Sequence, residues 1–139
     1  MIQNVDGDFI SVCIDSGAGV SVCPLHAFPS YGTFETGKNG VKHRAAGGQE
    51  LVNVGEKRPH STTNGIKTSM TFQACGATKP LAAPSSIIAK RDRIVLDDAN
   101  SDSYIENKAI GLKIPIQLQN GIYMLEIAVA QPPFLGQAK

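Results

Sequence analysis

The chain has 139 residues, of which 42% are hydrophobic and 18% are charged. These proportions are typical of one folded domain with a single core, and they exclude a disordered chain. The formal net charge of +1 gives no strong attraction to nucleic acid or to an anionic membrane, so we expect neither as a partner. No apolar run is long enough to span a bilayer, and residues 1–9 lack the order of a signal peptide.

Short apolar runs alternate with turn residues along the chain, which contains fourteen glycines and eight prolines. Because no segment keeps helical periodicity for three turns, we expect an all-β fold with at most one short helix. In chain order, the predicted elements are strands at 9–14 and 20–24, a loop with room for one short strand at 25–40, a strand at 68–75, a short helix at 86–90 capped by Ser85, and a strand at 93–98.

Two further segments have the pattern of β-hairpins. Polar and apolar residues alternate on both sides of Gly47-Gly48, a dipeptide that suits a tight turn. A second alternation runs through 114–118, meets Asn120-Gly121, and resumes at 122–127. Asn-Gly between such runs is the strongest short-range hairpin signal. We expect a single domain over 1–139, with its core at about 8–129 and a fraying tail at 130–139.

Neither the cysteines nor the histidines have the spacing of a metal site, so no metal and no cofactor is expected. The three cysteines are an odd set, which favours reduced core thiols in an intracellular setting. They are Cys13, Cys23 and Cys75, and the scattered histidines are His26, His43 and His60.

The run FISVCIDSGAGVSVCP, residues 9–24, interrupts an apolar, β-rich stretch with an acid and two glycines. An acid at the end of a buried strand is costly to keep, so Asp15 is either a surface turn residue or a chemical group. Asp15-Ser16-Gly17-Ala18 after apolar residues resembles the signature of aspartic proteases. That resemblance implies that Asp15 is catalytic and that the three residues after it shape the active-site loop.

The resemblance assigns a role to each loop residue. Ser16 would bond across to the partner loop, Gly17 would turn the backbone and offer its N–H to the carboxylate, and Ala18 would leave room for substrate. In such enzymes two facing carboxylates share one proton, because like charges at contact distance cannot both ionise. The ionised member activates a water while the protonated member donates to the scissile carbonyl.

Only one Asp-Ser-Gly occurs in the chain, so a dyad needs two copies related by a two-fold axis. This arrangement resembles the retropepsins, the homodimeric proteases of retroviruses and retrotransposons. In that family a hairpin flap closes over substrate, and Ala46, Gly47 and Gly48 lie at the matching place. Residues 79–87 and 103–127 are similar to Copia-type retrotransposon polyproteins, so the likeness runs from about residue 8 to residue 129.

The resemblance implies a retropepsin-like acid protease barrel with a flap hairpin. It implies an endopeptidase that cleaves an extended peptide or polyprotein substrate, in the cytoplasm or in a retroelement particle. One departure concerns Leu81-Ala82-Ala83, because retropepsins usually carry a glycine there, under the active-site loop.

Two alternatives remain open from the sequence. A retropepsin-like domain that has lost activity and serves in dimerisation or binding would have much the same sequence. A small β-barrel binding domain with a fortuitous Asp-Ser-Gly would be monomeric, with Asp15 pointing to solvent. Loss of activity on substitution of Asp15 separates the enzyme from both.

Overall fold

The computed structural model describes residues 9–44, 48–63, 65–90, 92–97 and 103–131. Within these ranges the fold is all-β with one short helix, which confirms the predicted fold class. The barrel closure that the resemblance implies stays a prediction. The helix α1 spans Pro84–Ile88, and the strands are β1 Phe9–Ile14, β2 Val22–Pro24, β3 Lys42–Arg44, β4 Glu50–Val52, β5 Gly55–Lys57, β6 His60–Thr63, β7 Ile66–Ser69, β8 Phe72–Cys75, β9 Leu81–Ala82, β10 Asp92–Val95, β11 Ser103–Asn107, β12 Lys113–Gln119 and β13 Ile122–Val129.

Most strands join one mixed sheet in the order β10-β11-β12-β13-β1-β9-β2-β8-β5. β6 pairs with β13 and with β7, while β3 and β4 form a separate two-stranded sheet. The longest pairing with β1 is antiparallel to β13, from Phe9 opposite Ala128 to Cys13 opposite Met124. The first strand is therefore paired with the last one, so the two ends of the described strand order in the chain lie side by side in the sheet.

The short strand β9 lies between β1 and β2 in this sheet. It runs parallel to β1, with Ile14 opposite Ala82, and antiparallel to β2, with Val22 opposite Leu81. The strand that enters the 15–21 segment and the strand that leaves it therefore both pair with β9. This arrangement fixes both ends of that segment.

The core is apolar and includes residues from almost every strand of the main sheet. Phe28 stacks on Phe72, with 5.2 Å between the ring centroids, and both side chains are buried. In β12 the buried residues Ile114 and Ile116 alternate with exposed neighbours, as expected for a strand with one face in the core. The largest fully buried apolar side chains are Phe28, Phe72, Ile116, Ile127 and Val12.

Both predicted hairpins are present. β12 and β13 pair across Asn120 and Gly121, whose φ angles of 53° and 81° give the turn its left-handed backbone. β3 and β4 pair from Lys42 opposite Val52 to Arg44 opposite Glu50, and these strands flank the predicted turn in the sequence. The predicted strand at 9–14 is also confirmed with its bounds.

Several predicted elements differ in extent. The single strand expected at 68–75 is wrong, because Met70 and Thr71 separate β7 from β8. The strand expected at 20–24 is confined to β2, and the one expected at 93–98 is shifted to β10. The 25–40 segment is loop, with one isolated bridge from Phe34 to Glu56.

The helix begins earlier than predicted, and Ser85 is not its cap. α1 starts at Pro84 after the N-cap residue Ala83, which makes no side-chain capping bond. Proline suits the first helical position because its missing N–H would have no partner there, and its φ is already helical. Among the described helical residues, none belongs to a helix long and apolar enough to cross a membrane.

Candidate active site

Asp15 follows β1 directly and opens a tight turn. The Gly17 N–H donates to Asp15 Oδ1 at 2.9 Å, and the Ala18 N–H donates to the Asp15 carbonyl oxygen at 3.0 Å. A Cβ atom on Gly17 would lie 3.4 Å from Asp15 Oδ1, in van der Waals contact with the carboxylate. The turn therefore fixes the orientation of the Asp15 carboxylate through its own backbone.

The segments on both sides of this turn are tied to β9 and to Ala83, the residue that follows it. The Asp15 N–H donates to the Ala82 carbonyl oxygen at 3.0 Å. On the other side, the buried Ser21 hydroxyl accepts the Ala83 N–H at 2.9 Å. Ala82 and Ala83 are fully buried, so this structure packs two methyl groups where the resemblance led us to expect glycine.

The structure brings the four predicted loop residues together in one turn. Asp15 and Ala18 are half-buried, whereas Ser16 and Gly17 are exposed. The Asp15 carboxylate thus lies at the surface of a rigid strand end rather than in the core. A loop of this kind presents its carboxylate to a molecule that approaches from solvent.

Of the predicted flap residues, Gly48 lies between the paired strands β3 and β4, which we together call the flap hairpin. Ala46 and Gly47 fall outside the described residues, so the structure gives no information on them. Gly48 has a φ of 87°, and its carbonyl oxygen accepts a bond from Arg44 Nη1 at 3.3 Å. The existence of the hairpin is shown, whereas its role as a flap stays a prediction.

The three cysteines are buried and free, as predicted for core residues. Burial raises the pKa of the Cys13 thiol, with Lys79 opposing and Asp15 adding to the effect. Burial also raises the pKa of Cys23 to about 12, and it raises the pKa of Cys75. Because the thiolate is the nucleophile, these protonated thiols do not supply a cysteine nucleophile beside Asp15.

A buried polar cluster joins the flap hairpin to the main sheet. Asn53 and Gln73 are 1% and 2% exposed, and Asn53 Nδ2 donates to Gln73 Oε1 at 2.7 Å. The same Asn53 nitrogen lies 3.3 Å from His43 Nε2, and Gln73 Nε2 donates to Glu56 Oε1 at 3.0 Å. This cluster was not predicted from the sequence. The only signal for it is an amide, Gln73, within an otherwise apolar strand.

A separate cavity of about 370 Å³ is lined in part by Val20 and Ser21, and Asp15 is not among its lining residues. Three of its charged residues, Glu56, Lys90 and Asp92, have shifted pKa values. Burial lowers the pKa of Lys90, against the effect of Asp92. Burial raises the pKa of Asp92, against the effects of Lys90 and Lys108. These opposite charges favour no single ligand charge. The cavity is not assigned to the Asp15 site because no residue of the Asp15 turn lines it.

Within the described ranges, no group of three or more histidine, cysteine or acidic side chains is arranged to hold a metal ion. Comparison of the chain with protein-family models, with curated proteins and with solved structures gave no match.

Proposed function

We propose that the chain is an aspartic endopeptidase that works as a homodimer, with one Asp15 from each copy. The observation that carries the proposal is the Asp15 turn. Its carboxylate is oriented by the Gly17 N–H, and its backbone is tied to β9 by the bond to Ala82. A catalytic group must be held in place by its surroundings, and a strand end tied on both sides meets that need.

The reaction follows from two such carboxylates face to face. Because two like charges in contact cannot both ionise, the pair shares one proton. The ionised Asp15 takes a proton from a water, and the protonated Asp15 of the second copy donates to the oxygen of the scissile carbonyl. The water oxygen then bonds to the carbonyl carbon to give a gem-diol. The first Asp15 passes the proton it took from water to the leaving nitrogen, and the second Asp15 takes a proton from a diol hydroxyl. The C–N bond then breaks to give an acid and an amine, and the dyad returns to its starting state. No covalent enzyme intermediate and no cofactor is needed.

The proposed substrate is an extended peptide, as in the retropepsins that the sequence resembles. An extended chain pairs its main chain with strand edges and places alternate side chains in pockets. The flap hairpin would cover it, with Ala46, Gly47 and Gly48 at the tip. Polyprotein processing for a retroelement, in the cytoplasm or in a particle, is the biological setting that the resemblance suggests.

Peptide cleavage tests the proposal. The wild type is assayed on a peptide library at mildly acidic pH and at high protein concentration, since a weak dimer dissociates on dilution. Asp15→Asn should abolish cleavage, as should a transition-state analogue of aspartic proteases. Asp92→Asn is the matched control, with the same chemical change on β10, and it should keep activity. A wild type as silent as Asp15→Asn would refute the enzyme and leave a binding or dimerisation domain.

A further inference from the structure

The polar cluster behind the flap hairpin has a fixed hydrogen-bond direction. The Gly55 N–H donates to Asn53 Oδ1 at 2.8 Å, so this atom is the amide oxygen and the other is the nitrogen. Asn53 Nδ2 therefore carries two hydrogens, and one of them bonds to Gln73 Oε1 at 2.7 Å. The second hydrogen is left for His43 Nε2, 3.3 Å away.

The far end of the cluster supports the same direction. Gln73 Nε2 donates to Glu56 Oε1 at 3.0 Å, and reversing the Gln73 amide would place two acceptor oxygens together. Glu56 Oε2 accepts from Arg58 Nε at 2.6 Å. The hydrogen bond from Gln73 and the Arg58 guanidinium lower the pKa of Glu56, against the effect of burial. Glu56 is therefore an acceptor, and the amides cannot turn over.

His43 must then accept a hydrogen bond at Nε2. An imidazole accepts at one nitrogen only when it is neutral, and its proton must then sit on Nδ1. A protonated imidazole would place an N–H against the amide hydrogen of Asn53. Both donors are then without an acceptor, and the contact becomes repulsive.

The contact lies where the flap hairpin joins the body. His43 is in β3, and Asn53 follows β4 directly. The Asn53 backbone also closes the base of the hairpin. Its N–H donates to the Val41 carbonyl oxygen at 2.8 Å, and its carbonyl oxygen accepts from the Gly40 N–H at 2.7 Å. Gln73 extends the link toward the active-site loop, since its N–H donates to the Ser21 carbonyl oxygen at 2.8 Å.

We propose that His43, Asn53 and Gln73 form a latch that positions the flap hairpin and that opens when His43 is protonated. These are positioning residues, since they act on the hairpin rather than on substrate. For catalysis, the opening of the latch would make the flap hairpin more mobile in the acidic range, where an aspartic dyad holds one proton. This consequence rests on the proposed function. The latch itself does not depend on that activity.

Charges of both signs surround His43. Along its own strand lie Lys42 and Arg44, and Glu50 on β4 pairs with Lys42 at 3.6 Å. From the main sheet the facing charges are Glu56 and its partner Arg58, which lie beyond Gln73. Each acid in this set has a basic partner, so the loss of the acceptor at Nε2 is the main consequence of protonation.

Nuclear magnetic resonance of the full chain tests the latch. At about pH 7.5 the ¹⁵N shifts of His43 should show a proton on Nδ1 and none on Nε2. On acidification to about pH 5, amide hydrogen exchange in β3 and β4 should speed up by about tenfold, the scale of one lost buried hydrogen bond. A proton on Nε2 at the higher pH would overturn the proposal without the need for any variant.

Two variants isolate His43. His43→Gln keeps an acceptor oxygen that acid does not protonate, so amide hydrogen exchange in the flap hairpin should no longer speed up on acidification. His26→Gln is the matched control, an exposed histidine outside the hairpin, and it should behave as wild type. Equal acid acceleration in His43→Gln and wild type would refute the latch. Neither readout uses peptide cleavage, so an inactive chain with a working latch would refute only the proposed function.

Discussion

Among the glycines that the structure describes, Gly55 is the one where an added methyl group should cost the most stability. It lies in β5, beside the 33–34 loop, and its φ of 151° is one that side chains rarely adopt. A Cβ atom there would lie 2.3 Å from Thr33 Cγ2 and 2.9 Å from the Phe34 carbonyl oxygen. The side chain of Thr33 can rotate away, but the Phe34 backbone is held by two bonds of 2.8 Å to Glu56.

The expected cost of Gly55→Ala is the sum of two effects. A residue held in a disfavoured backbone region costs about 1–3 kcal/mol. Forcing an extra methyl into packed structure costs about 1–3 kcal/mol more. We therefore expect the free energy of unfolding to fall by about 2–6 kcal/mol, a large part of the stability of a domain of this size.

Urea unfolding followed by far-ultraviolet circular dichroism measures this change, read as a shift of the midpoint at constant slope. Two controls separate the two effects. Gly121→Ala has a φ of 81° with open space around it, so it should cost only about 1–2 kcal/mol. Gly32→Ala has open space and no such φ, so it should stay within about 0.5 kcal/mol of wild type. A Gly55→Ala cost no larger than that of Gly121→Ala would refute the close approach of β5 and the 33–34 loop.

Three other predictions concern stability. Tyr31→Phe should lower the unfolding free energy by about 1 kcal/mol in urea titrations, because the buried Tyr31 hydroxyl donates to the Ala130 carbonyl at 2.6 Å; an unchanged midpoint would contradict this bond. Ile116→Val should cost about 0.5–1.5 kcal/mol and Ile110→Val close to nothing, since the first is fully buried and the second is 66% exposed; equal thermal shifts would contradict this packing. The folded-state pKa of Glu56 lies below its ordinary 4.5, so its stabilisation is present above that pH and is lost as the pH falls through the folded value. Glu56→Gln should therefore reduce stability near neutral pH and flatten the dependence of stability on pH below about 4.5. An unchanged loss of stability on acidification would contradict the lowered pKa of Glu56.

Local patterns predicted the parts of the fold that depend on local chemistry. β12 and β13 were predictable because Asn120-Gly121 selects the turn and a buried face imposes alternation. The burial of β5 was not predicted because its residues are mostly polar, yet its Lys57 is buried, with its ammonium bonded to the Ala27 carbonyl. A partner thirty residues away decides that burial, and no window of sequence around Lys57 contains it.

The candidate site also contains parts that local sequence predicts and parts that it does not. The Asp15 turn is predictable because the hydrogen bond from the Gly17 N–H to the Asp15 carboxylate spans only two residues. The latch was not predictable, because it assembles His43, Asn53 and Gln73 from three separate segments. The Gly47-Gly48 turn indicated a hairpin, but what holds that hairpin in place appears only when β8 packs behind it.

A tethered dimer tests the central claim most directly. Two copies joined by a flexible linker are prepared with no, one or two Asp15→Asn substitutions, and cleavage of one peptide is compared at equal concentration. If each active site uses one Asp15 from each copy, a single substitution should remove activity as completely as two. A singly substituted tether that keeps about half the activity would mean that each copy works alone, and it would contradict the shared dyad.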